Sequence, residues 1–95
     1  MTGIIESKHG TLVSNTVTTL TFTRDCTTIA VWSTSTGDAD RVYFTIDGTT
    51  PTVKGDNTYL ASWGGQSTII DAVGTGAPVV KLIATGTPGY SVVCS

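Results

Sequence analysis

Few residues of this 95-residue chain could do chemistry, and their types and spacing fit no reactive centre. The chain has one histidine, His9, and two distant cysteines, Cys26 and Cys94. A serine hydrolase needs its histidine beside a nucleophilic serine and an oxyanion hole, yet no Gly-x-Ser-x-Gly run occurs. A zinc site needs more ligands than these three side chains supply. Paired carboxylates for glycoside hydrolysis would require Glu6, the only glutamate, plus aspartates that lie in turn-like sequence. We therefore expect no enzyme activity, no metal and no cofactor.

The segment RVYFTIDGTTPTVKGDNTYL, residues 41–60, is the least generic part of the sequence. A strand-like run ends at Asp47-Gly48, where a carboxylate can accept a backbone N–H and glycine can take a positive φ. Pro51 then holds the chain extended, and a second turn follows. The alternative is a calcium loop on Asp47, Asp56 and Asn57, but the stretch lacks the alternating oxygens and distal glutamate of such loops. The sequence predicts a rigid corner.

Two aromatic residues are candidate partner contacts. Trp63 lies in ASWGGQ beside a glycine pair, and large aromatic side chains dominate interface hot spots. Trp63 and Tyr59 could instead form a platform that stacks on a sugar ring. Trp32 alternates with apolar residues, and we expect it to pack on a sheet face.

The sequence predicts that β-strands position these residues. Helical spacing of apolar residues is hard to find, whereas alternation of apolar and polar residues is frequent. The clearest strand predictions cover residues 19–23, 28–33, 42–46, 79–84 and 90–94, with weaker ones at 10–17, 58–61 and 68–73. Twenty threonines favour strands, since a branched Cβ suits a pleated surface. Seven or eight short strands separated by turn clusters predict an all-β antiparallel sandwich or barrel.

Length and charge limit the domain organisation and the partners. The chain suffices for one domain, predicted over residues 11–95, with residues 1–10 as a flexible arm. Five Lys and Arg against seven Asp and Glu give a net charge of -2 without a basic run, so we expect no nucleic-acid binding. No apolar run is long enough to span a membrane, so we expect no membrane partner.

The cysteines bear on the redox conditions of the compartment in which the chain resides. No secretory signal is visible at the N-terminus, which predicts a protein that is made in a cytosol and leaves it only within a larger particle. We accordingly expect Cys26 and Cys94 to be reduced and partly buried. The alternative is a disulfide, which would add about 4 kcal/mol to stability through the long loop that it closes.

Two resemblances add to these patterns. VYFTIDGTTPT, residues 42–52, resembles the motif of chitobiase/β-hexosaminidase C-terminal-type domains, which implies an immunoglobulin-like β-sandwich. Residues 41–94 resemble small virion proteins of tailed actinobacterial phages. In these proteins a YFT-DGT-PTV-GD-TY run is followed by a later segment similar to VVKLIATGTPGYSVV. Neither resemblance brings catalytic residues to this chain.

The second resemblance implies a structural role in a virion. We expect a capsid decoration protein that binds the major capsid protein or other virion proteins, with self-association on the shell and with residues 1–10 as a clamp. A tail or head-fibre component is an alternative within the virion. A carbohydrate-binding module that uses Trp63 and Tyr59 is the alternative from another class.

Overall fold

The computed structural model describes residues 5–37, 40–56, 58–61, 67–72 and 76–95. In these ranges the chain forms eight β-strands and no α-helix, so none of them holds a helix of the length and apolarity that a bilayer crossing requires. The strands are β1 Glu6–Thr11, β2 Thr18–Thr21, β3 Thr28–Ser33, β4 Tyr43–Thr45, β5 Tyr59–Leu60, β6 Ser67–Asp71, β7 Val79–Ile83 and β8 Gly89–Cys94.

The strands form two antiparallel four-stranded sheets, with the orders β1-β8-β3-β6 and β2-β7-β4-β5. The pairing is nested, because β1 pairs with β8, β2 with β7, β3 with β6 and β4 with β5. The predicted all-β antiparallel sandwich is confirmed. Its order differs from the immunoglobulin order, in which the first strand pairs with the second. Nested pairing over eight strands is the order of a jelly roll.

Alternate residues of the strands build the core between the two sheets. Ile29 and Val31 of β3 are fully buried, whereas Trp32 beside them is exposed. This agrees with the predicted alternation, because successive side chains of a strand point to opposite faces. Tyr90 was also predicted to face inward, but it is only partly buried against the core. The other predicted inward residues of the clear strands are buried as well: Leu20, Phe22, Val42, Phe44, Ile46, Val80, Leu82, Ala84, Val92 and Cys94.

β4 is buried on both of its faces, which simple alternation does not predict. Tyr43 and Thr45 point away from the core, yet both are buried. The Thr45 hydroxyl donates to the Thr49 carbonyl oxygen at 2.6 Å, and Pro51 is buried nearby in sequence. The segment after β4 therefore folds back over the outer face of this strand.

Half of the predicted N-terminal arm is strand instead, because Glu6–Gly10 belong to β1 and pair with β8. The inward positions of β1 carry Glu6 and Lys8, so the strand has no apolar alternation to reveal it. Glu6 accepts hydrogen bonds from the Thr23 amide and hydroxyl, at 2.9 and 3.2 Å. The Lys8 ammonium lies 5.6 Å from the centre of the Phe22 ring. A clamp that orders only on a shell can therefore not include these residues.

Cys26 and Cys94 form a disulfide, so the prediction of reduced thiols is wrong. Both cysteines are buried, and their Cα atoms are 5.3 Å apart. The register of β3 with β8 explains this proximity, because Cys94 lies opposite Ile29, three residues after Cys26. No local pattern encodes that pairing. The Ser95 amide also donates to the Thr28 carbonyl oxygen at 3.0 Å, which fixes the end of β8 further.

Candidate functional site

The Asp47-Gly48 turn is a hydrogen-bonded corner, as the sequence predicted. One carboxylate oxygen of Asp47 accepts from the Thr49 amide at 3.1 Å and from the Thr49 hydroxyl at 2.6 Å. Gly48 has φ +82° and donates its amide to the Val79 carbonyl oxygen at 3.2 Å. The Thr49 hydroxyl and then its amide lower the pKa of the Asp47 carboxyl. The carboxylate therefore stabilises the turn.

The second turn is held by backbone hydrogen bonds. The Gly55 amide donates to the Thr52 carbonyl oxygen at 3.0 Å, and the Thr58 amide donates to the Gly55 carbonyl oxygen at 3.3 Å. Asn57, the third residue of the calcium alternative, lies outside the described residues. Within the described ranges, no three His, Cys, Asp or Glu side chains cluster as a metal site would require.

His9 lies on the exposed outer side of β1. Its Nε2 atom is 3.3 Å from the hydroxyl of Ser7, two residues earlier on the same strand. Both residues are exposed, so water competes for the pair. Nucleophilic catalysis instead depends on a base that is oriented by a third group beside preorganised oxyanion donors.

A shallow depression of about 300 Å³ lies where the chain after β4 meets the start of β7. Ile46, Asp47, Ala77, Pro78 and Val79 line it. Its one charged group is the Asp47 carboxylate, which is already bonded to Thr49. This volume is at the lower end of the range for small-molecule sites, and the depression offers a ligand only weak polar recognition.

Tyr59 is the predicted contact residue that the structure describes. It opens β5, an edge strand, and its side chain is 45% exposed. Its ring centre lies 5.7 Å from that of the buried Phe44, with the planes tilted by 33°. One side of the ring is thus supported by the core while another part meets solvent. Trp63, the second predicted contact, lies outside the described residues.

Sequence reasoning missed a group of exposed apolar residues near Tyr59. Leu60 follows it on β5 and is exposed, and Ile69 of β6 is 65% exposed. The Thr68 hydroxyl donates to the Leu60 carbonyl oxygen at 3.3 Å, so β5 and β6 lie side by side although they belong to different sheets. We call the side formed by Tyr59, Leu60 and Ile69 the β5–β6 side. The only sequence signal for it was the pair of weak strand predictions at 58–61 and 68–73.

Trp32 borders this side on the outer face of the sheet. It is opposite Ser67 of β6 in the strand register, and its side chain is 38% exposed. Trp32 was predicted to pack on a sheet face, and the structure places it on the outer face of the β1-β8-β3-β6 sheet. Leu60 lies opposite Tyr43 and Ile69 lies opposite Ala30, so their side chains point to the outer faces of different sheets. Exposed aromatic and aliphatic side chains on neighbouring edge strands suit contact with another molecule more than chemistry on a small substrate.

Comparison of the chain with protein-family models, with curated protein sequences and with solved structures found no match.

Proposed function

We propose that this chain is a structural protein of a phage virion, and that it decorates the capsid by docking on the major capsid protein. The observation that carries the proposal is a disulfide-bonded jelly roll whose neighbouring edge strands β5 and β6 carry exposed apolar residues. Jelly rolls recur in viral capsid proteins and in lectins. Disulfides persist in oxidising surroundings, among them virion surfaces. The sequence resemblance to small phage virion proteins points the same way.

The docking is mechanical in this account. The contact with buried Phe44 holds the Tyr59 ring in place, so little side-chain freedom is lost when a partner covers the exposed part of the ring. Many copies on a symmetric shell turn modest single contacts into durable attachment.

The test uses capsids of the encoding phage from which this chain has been deleted. Purified chain should bind them saturably, with a fixed number of copies per particle. Tyr59→Ala should weaken the binding about tenfold, because aromatic anchors contribute most at interfaces. The matched control is Val13→Ala, which shortens an exposed apolar side chain at the other edge, between β1 and β2. Binding that never saturates would refute the proposal.

A carbohydrate-binding module is the second candidate, and the exposed ring of Tyr59 favours it. It requires that a defined glycan change the tryptophan fluorescence of the isolated chain, and that Tyr59→Ala abolish this response. A saturable glycan response, together with no affinity for deleted capsids, would establish this alternative in place of the virion role.

A further inference from the structure

β6 is an edge strand whose position suggests an interface. It is the last strand of the β1-β8-β3-β6 sheet, and β3 is its one strand partner within the described chain. An edge strand presents backbone N–H and C=O groups that can pair with another chain, and folded proteins usually protect such edges.

The backbone of Ile69 faces the open side of β6. The Ala72 amide donates to the Thr27 carbonyl oxygen at 2.9 Å, which continues the register of β6 with β3. Hydrogen-bonded and non-hydrogen-bonded pairs alternate along antiparallel strands. Ile70 therefore bonds to β3, and Ile69 directs its N–H and C=O away from it.

Among the described residues, the other edge strands carry protection that β6 lacks. β5 has only two residues, Tyr59–Leu60. β1 places Glu6 and Lys8 on its inward side, and inward charges discourage further pairing. β2 leads into Thr23, whose amide is taken by the Glu6 carboxylate. The sequence of β6, STIID, contains no proline, glycine or lysine, and its only charge is at its last residue.

The same five residues are complementary to themselves. When two β6 strands are placed antiparallel with Ile69 on the two-fold axis, Ile69 meets Ile69 of the second copy and both outward backbone groups can pair. Ser67 then lies opposite Asp71 of the second copy, so the two carboxylates do not face each other. We propose that two copies of this chain associate through β6 in this register, which joins their sheets into one eight-stranded sheet.

The outer face of the sheet supports this register. Ile69 lies opposite Ala30, and Trp32 lies opposite Ser67, so Ile69 and Trp32 are diagonal neighbours on this face. Side chains directly opposite in an antiparallel pair stand about 4.5–5.5 Å apart at Cβ. Pairing thus covers the exposed Ile69 with its counterpart and continues an apolar row from one Trp32 to the other. This inference does not depend on the proposed function, because it concerns the isolated chain. Since the pairing covers Ile69, capsid docking by the dimer rests on Tyr59 and Leu60 of the β5–β6 side.

The experiment measures mass against concentration, with light scattering after size exclusion, for a chain of 9.8 kDa. The wild type should show twice that mass. Ile69→Pro removes the outward N–H without touching a bond to β3, which is where edge strands accept proline. Ile69→Lys adds a charge at the axis. Because each dimer loses two hydrogen bonds, Ile69→Pro should raise the dissociation constant on the order of tenfold to a hundredfold.

Thr19→Pro and Thr19→Lys are the matched controls, because Thr19 holds the equivalent outward position on the edge strand β2 and should not affect the dimer. Hydrogen exchange gives a second readout. The Ile69 amide should exchange slowly in the wild type and at least tenfold faster on dilution to the monomer. A wild type that stays monomeric up to about 1 mM would overturn the inference, because a dissociation constant above that concentration means very weak association. So would a dimer that neither Ile69 substitution weakens.

Discussion

Reduction of the Cys26–Cys94 disulfide should lower the free energy of unfolding by about 4 kcal/mol. The two cysteines are 68 residues apart in sequence, and in the chain-entropy model a closed loop of this length restricts the unfolded chain by about that amount. The loss is large beside the usual total of about 5–15 kcal/mol. For a domain of this size it corresponds to a fall in Tm of roughly 16–32 °C.

The position of the bridge makes the effect global. β8 is an inner strand that pairs with both β1 and β3, and Cys94 is its last residue. A chain that releases β8 loses two strand pairings at once, so the constraint should act on unfolding of the whole sandwich and not on a frayed end.

The assay is urea unfolding of the wild type with and without a reductant, with thiol titration to confirm the redox state. The control is the double variant Cys26→Ala/Cys94→Ala, whose midpoint should not respond to the reductant. Equal midpoints for the oxidised and the fully reduced wild type would refute the reasoning, and so would two thiols that react freely in the folded protein before any reduction.

Three further predictions concern the corner and the core. Gly48→Ala should cost about 1 kcal/mol because its φ of +82° strains an L-residue, whereas Gly37→Ala, with open space around it, should be close to neutral; chemical denaturation compares them. Phe44→Ala should cost about 3–5 kcal/mol since its ring is fully buried, against about 1 kcal/mol for Tyr59→Ala, and similar losses would contradict the burial assigned to the two rings. The folded-state pKa of Asp47 is lowered, so its stabilising effect is complete well above pH 4 and is lost as the pH falls through that lowered pKa; Asp47→Asn should flatten this part of the stability profile, and an unchanged profile would contradict it.

The sequence was informative wherever burial follows strand alternation. Leu20 and Phe22, or Val80 and Leu82, face a common core, and a period of two is enough to predict it. The Asp47-Gly48 corner was equally predictable, because the hydrogen bonds of the Asp47 carboxylate join residues two apart.

The remaining features depend on contacts between distant parts of the chain. β1 was missed because its inward residues, Glu6 and Lys8, are charged and are accommodated by Thr23 and Phe22 of another segment. The disulfide and the nested strand order both require β8 to lie between β1 and β3, and no periodicity within a strand specifies its neighbours. The β5–β6 side was missed for the same reason.

The proposed virion role is tested most directly by quantitative mass spectrometry of phage particles purified from cells that express this chain. The account predicts that this chain is present in a constant ratio to the major capsid protein, and that the ratio persists in tail-less heads. Particles that lack the chain, or that carry it in amounts varying with each purification, would contradict the account.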